Sequence, residues 1–113
     1  MCTKNQAIDI LAEAYLACAS IFPKEIKDAY LYGSYARGDF NKDSDVDILV
    51  TAMLDRSMIA KFKHDLASLS SDLSLKHNVT VSLTVKPHED FTLYSEALPF
   101  YKNVMKEGIR YGA

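Results

Sequence analysis

The sequence predicts a small α/β domain with a short mixed sheet and helices packed on one face. Three observations predict it. Residues 79–85 alternate strictly between apolar and hydroxylated side chains, two segments carry apolar residues at helical spacing, and the elements run in the order α-β-(turn)-β-α-β-α. With 113 residues, 49% apolar and 25% charged, the chain has the composition of one globular domain spanning 1–113.

The elements follow in order. Thr3-Lys4-Asn5-Gln6 reads as a capping box, and Ile8, Leu11, Ala12, Tyr15, Ala19 and Phe22 carry a helix from about 4 to about 21. Pro23 stops it. Ala29-Tyr30-Leu31-Tyr32 is a β-prone run ending at Gly33, and Asp45 through Thr51 forms a second strand. Between them, residues 34–44 hold a turn or a short helix around Tyr35–Arg37. Met58, Phe62, Leu66, Leu69 and Leu73 mark a helix over about 56–75, capped by Asp55 and ended by Asn78. The strand 79–85 follows, and Pro87 closes it. One or two short helices fill 88–106, with Pro99 near the start of the last, Gly108 as its cap and Ile109-Arg110-Tyr111 as an edge strand.

Several classes of function fall away. No stretch nears 18 uninterrupted apolar residues, so no membrane span is expected, and Asp9 and Glu13 interrupt any secretory pattern. Cys2 and Cys18 form neither a disulfide framework nor a metal spacing, which suits a reducing cytoplasm. A net charge of −2 disfavours direct nucleic-acid binding through a basic surface. Much of the acid is concentrated: Asp39, Asp43, Asp45, Asp47 and Asp55 are opposed there only by Lys42.

The chemistry lies in Gly33-Ser34-Tyr35-Ala36-Arg37-Gly38-Asp39-Phe40-Asn41-Lys42-Asp43-Ser44-Asp45-Val46-Asp47. A Gly-Ser pair directly after a strand lets the backbone approach a ligand, and free N–H groups at a helix start suit phosphate oxygens. Ser34 adds a hydroxyl donor, and Arg37, one turn on, is placed to reach the same anion. Asp45 and Asp47 stand at i and i+2 on a strand, which projects both carboxylates from one face about 7 Å apart at Cα. Like charges so placed repel, and a divalent cation relieves them. Oxygen ligands favour Mg²⁺, which usually arrives with substrate phosphates.

Gly-Ser, three residues, Gly, five residues, then Ser-Asp-x-Asp and an apolar run resembles the signature of the DNA polymerase β-like nucleotidyltransferase superfamily. The short chain is most similar to its minimal nucleotidyltransferases, the small partners of HEPN-domain proteins. The likeness extends weakly into the tail, from Leu98-Pro99-Phe100-Tyr101-Lys102-Asn103 to Glu107-Gly108-Ile109. The resemblance implies that Gly33 and Ser34 hold the triphosphate, with Arg37 and Ser44 on the nucleotide side and Ser44 shaping the turn. Asp45 and Asp47 would be the catalytic metal ligands, for one Mg²⁺ or two. ATP is the substrate it favours, with AMP passed to a hydroxyl, a tyrosine of a HEPN toxin, so that this chain acts as the antitoxin. Homo-oligomers are compatible with it.

One departure matters. Active members of that superfamily usually carry a third carboxylate on a later strand, where this chain offers Thr80, Ser82 and Thr84. A hydroxyl is a weak ligand and a poor base, so a weakly active or inactive antitoxin that neutralises its partner by binding is the second reading. The HEPN pattern of Arg, four to six residues and His is absent; Arg56 and His64 come nearest. His64, His77 and His88 lack metal spacing, and no Walker loop is present. Tyr35 stays open between nucleotide contact and core packing.

Overall fold

The computed structural model describes residues 2–112. Thr3 and Gln6 form the expected capping box, the Thr3 hydroxyl accepting from the Gln6 N–H at 3.1 Å. They open helix α1, Lys4–Ile21, and the chain turns away at Phe22 and Pro23. Its buried face matches the predicted stripe only in part: Leu11 and Phe22 are buried and Tyr15 packs against the core. Ala7, Ile10, Leu11, Ala14 and Cys18 face the core, whereas Ile8 is exposed. Small side chains let the helix approach the sheet closely, and large-residue spacing alone misplaces part of that stripe.

Strand β1 covers Ile26–Tyr32, three residues longer than predicted. An irregularity between Ile26 and Asp28 hides the start, where the Asp28 N–H turns to the buried Thr51 hydroxyl at 3.0 Å. After the one-turn helix α2, Ser34–Arg37, strand β2 covers Val46–Ala52, so Asp45 lies just outside the ladder. The predicted helix over 56–75 divides into α3, Arg56–Ala60, and α4, Lys63–His77. Phe62 sits at the break and packs edge-on against Phe22, with ring centroids 4.7 Å apart. Asp55 caps α3 through the Met58 N–H at 2.8 Å, and Asn78 ends α4 at φ 53°.

Strand β3, Val81–Pro87, runs parallel to β2; helices α5, His88–Tyr94, and α6, Pro99–Glu107, follow. Strand β4, Ile109–Arg110, pairs antiparallel with β1, as β2 does from the other side. The order in the sheet is β3-β2-β1-β4. Leu31, Ile48, Val50, Val81 and Leu83 meet α1 and α4 on one face. The two long helices share that face, as the sequence predicts. The opposite face departs from it: α5 and α6 cover part of it, packing Phe91, Tyr101 and Val104 onto Tyr30 and Leu49. Tyr30 and Leu49 are apolar positions on the acidic face, and burying them requires a cover.

Candidate active site

Alternation along β2 sends Val46, Ile48 and Val50 into the α1/α4 layer and leaves Asp47, with Leu49, on the other face. Asp47 therefore avoids the long-helix layer, as expected of a site on the free face, whereas Asp45, just before the ladder, borders a groove that Leu66, Ala67 and Ser70 of α4 also line. Asp45 is exposed at the start of the strand, whereas Asp47 is half-buried. Burial raises the Asp47 carboxyl above its usual range, the nearby Asp45 charge raises it further, and Arg37 partly offsets both.

Gly33 joins this pair to the turn after β1. Its φ of +75° is a left-handed value that L side chains rarely adopt, and a Cβ there would overlap the Asp47 carboxylate oxygen. The turn and the acid are thus in direct contact. Ser34 opens α2, whose start has no side-chain cap, and its hydroxyl makes no hydrogen bond among the described residues. Donors at that turn stay available to a ligand.

Around Asp47 the sheet supplies hydroxyls. Tyr32 is its antiparallel neighbour on β1, and Ser82 its parallel neighbour on β3. Burial and the Asp47 charge raise the Tyr32 phenol, and a hydrogen bond with Thr84 pulls it back. The row Tyr32–Asp47–Ser82 holds one carboxylate. Among the described residues no three His, Cys, Asp or Glu side chains converge.

The remaining candidates divide. Arg37 is exposed, donating to Asp39 at 3.2 Å and to Glu107 of α6 at 3.4 Å. It borders a cavity of about 250 Å³ with Tyr32, Gly33, Phe100, Asn103, Val104 and Glu107, so its position beside the turn is real but its charge is already paired. Ser44 accepts the Asn41 N–H at 2.9 Å and holds the loop before Asp45. Tyr35 belongs to the core: it is 1% exposed and stacks on Phe40 at 4.3 Å. His77 pairs with Glu13, His88 faces Thr51, and His64 is exposed. A larger cleft of about 560 Å³, with Met53, Arg56 and Asp90, opens at the far end of β2 from the acids. The wall from α6 and Tyr32 both escaped the sequence: nothing local links Asn103 or Glu107 to Gly33, and a tyrosine on a strand reads as core packing until the β1–β2 register sets it beside Asp47.

Two hard carboxylates, Asp45 exposed and Asp47 half-buried with its proton affinity raised, fit a Mg²⁺ ion that completes its shell with water and phosphate oxygens. Beside them, the uncapped turn suits the phosphates.

The nucleotidyltransferase-domain family matches residues 11–111 of the chain. The chain belongs to that family. It is 33% identical over 94 residues to "Putative protein adenylyltransferase MJ0604" of Methanocaldococcus jannaschii, covering 81% of this chain and 84% of that one. A chain of a toxin–antitoxin crystal structure with AMP-PNP superposes at TM-score 0.55 with 25% identity, over 95% of this chain and 70% of its own length. A structure described as a "putative minimal nucleotidyltransferase" superposes at 0.54, also with 25% identity, over 90% and 93%. The mixed four-stranded sheet with helices is the nucleotidyltransferase fold.

Proposed function

We propose that this nucleotidyltransferase uses Mg²⁺ and ATP to transfer AMP to a hydroxyl, a tyrosine of a HEPN toxin encoded with it, and so acts as an antitoxin. The observation that carries the reading is the contact between the Gly33 turn and Asp47, beside Asp45, which sets phosphate donors against a metal-binding pair. The adenylyltransferase relative supports the reaction, and the neighbour solved with the ATP analogue AMP-PNP supports both the nucleotide and the toxin–antitoxin setting.

Asp45 and Asp47 hold the metal, which supplies neutralising charge to the phosphate oxygens. Ser34 and the backbone of its turn orient the triphosphate for in-line attack. The acceptor oxygen bonds to the α-phosphorus as the bond to the bridging oxygen breaks, and pyrophosphate leaves. Positioning and charge are what the protein contributes. The acceptor proton passes to water or to a carboxylate of the pair. The cavity beside Gly33 is small, so the partner must supply the surface that encloses the acceptor.

A second reading, an antitoxin that works by binding alone, is favoured by one observation: Ser82 stands in register with Asp47 where a further carboxylate would serve. Intact-mass analysis of the co-expressed partner after incubation with this chain, ATP and Mg²⁺ separates them. Added mass in units of AMP, lost in Asp45→Asn/Asp47→Asn, supports transfer. A stable, neutralised but unmodified partner supports binding alone.

A further inference from the structure

Strand β3 is an edge of the sheet, paired only with β2. The Thr80 carbonyl accepts from the Val46 N–H at 2.9 Å and so faces β2. In a parallel pair the backbone groups alternate, so Ser82, Thr84 and Lys86 also face β2, while Val81, Leu83 and Val85 face outward. Helix α4 closes the first of these outward positions. Its Ser70 hydroxyl donates to the Val81 carbonyl at 2.6 Å, and its Ser74 hydroxyl accepts from the Val81 N–H at 2.9 Å. Leu83 and Val85 have no such cover: among the described residues, neither's N–H nor carbonyl has an outward hydrogen-bond partner. A groove of about 790 Å³ follows this stretch, touching residues of both sheet faces, with Asp45 among its walls.

We infer that a second copy of this chain fills the groove, with the two β3 strands pairing antiparallel about a two-fold axis at Thr84. This pairing uses the open stretch and nothing else. Leu83 of each copy exchanges two hydrogen bonds with Val85 of the other, giving four in all, and the ladder ends before the α4 serines. The apolar Leu83 and Val85 side chains meet across the strands on the long-helix face, and the two Thr84 side chains meet on the other. Charge fits as well. Lys86 has no ion-pair partner among the described residues, and the register sets it opposite Ser82 of the second copy, one strand from that copy's Asp47. Each copy thus contributes a cation to the rim of the other's acidic pair. Self-association stands independently of AMP transfer.

The test uses the intact chain without its partner. Sedimentation velocity over a micromolar concentration series should show a dimer. Val85→Pro removes one outward N–H and leaves the β2 ladder untouched, because proline is tolerated on the open side of an edge strand; it should give a folded monomer. In a Cys2→Ser background, Thr84→Cys should form an intermolecular disulfide under mild oxidation, since facing non-hydrogen-bonded positions lie about 4.5 Å apart at Cα. Thr80→Cys should not. A monomer throughout, a dimer that Val85→Pro leaves intact, or cross-linking at Thr80 equal to that at Thr84 overturns the inference. So does hydrogen exchange in which the Leu83 and Val85 amides become protected only when the co-expressed partner is bound.

Discussion

Gly33 meets two demands together, a left-handed φ of +75° and close approach to the Asp47 carboxylate. Gly33→Ala should cost about 1–3 kcal/mol in backbone strain, read as a lower urea midpoint. By displacing Asp47 it should also weaken calorimetric Mg²⁺·ATP binding about tenfold, ~1.4 kcal/mol; unchanged affinity would detach the turn from the nucleotide. Asp47 carries a different cost. Its carboxyl is raised chiefly by burial and then by Asp45, so the folded chain binds a proton more tightly than the unfolded one. Stability from this group therefore falls as pH rises from the ordinary carboxylate range through the raised value, and levels off above it. At neutral pH in EDTA, Asp47→Asn should raise the melting temperature while Mg²⁺-dependent nucleotide binding is lost. A lower melting temperature would show that the carboxylate is not held at a cost. Cys18 matters only structurally: burial pushes its thiol up to about 12, which removes it from thiolate chemistry.

At the scale of elements, α4 and β3 are tied by hydroxyls as well as by apolar packing. The Ser74 hydroxyl donates to the Ser70 carbonyl at 2.8 Å while accepting the Val81 N–H. Ser74→Ala leaves that part-buried N–H without its acceptor and should cost about 1 kcal/mol, seen in the denaturant midpoint with an unchanged slope. Helix boundaries show how packing edits a local pattern. The stripe Met58, Phe62, Leu66, Leu69 and Leu73 is regular, yet the helix breaks at Phe62 because that ring is needed against Phe22. The caps at Thr3, Asp55 and Asn78 were legible because a cap is satisfied by residues close in sequence. The buried stripe of α1 was legible only in part, since it depends on how near the sheet lies.

For the whole molecule, the register of β3 against β2 decides which side chain faces the acidic pair. Ser82 does, so Ser82→Asp places a carboxylate beside Asp47. If the missing acid limits turnover, AMP transfer to the partner should rise on the order of a hundredfold, the usual contribution of a positioned acid or base. Without metal the added charge should lower the melting temperature through like-charge repulsion. A wild-type chain already as fast as Ser82→Asp would show that the hydroxyl row suffices. The C-terminal helices matter at this scale as well. They cover Tyr30 and Leu49, and they bring Glu107 to Arg37 across 70 positions of sequence.

By itself the sequence determined the order of elements, the strict β3 alternation, the caps, and a Gly-Ser turn followed by a Ser-Asp-x-Asp strand start. Those are local matters of backbone freedom, side-chain period and short-range hydrogen bonds, and the family is legible in them. Tertiary structure alone decided that Tyr35 packs into the core, that Arg37 is paired, that Asp45 stands outside the ladder, and that Ser82 faces Asp47. Each of these depends on which distant segments share a face. Strand register and helix approach set that by burying apolar surface over the whole domain, where no local pattern reaches.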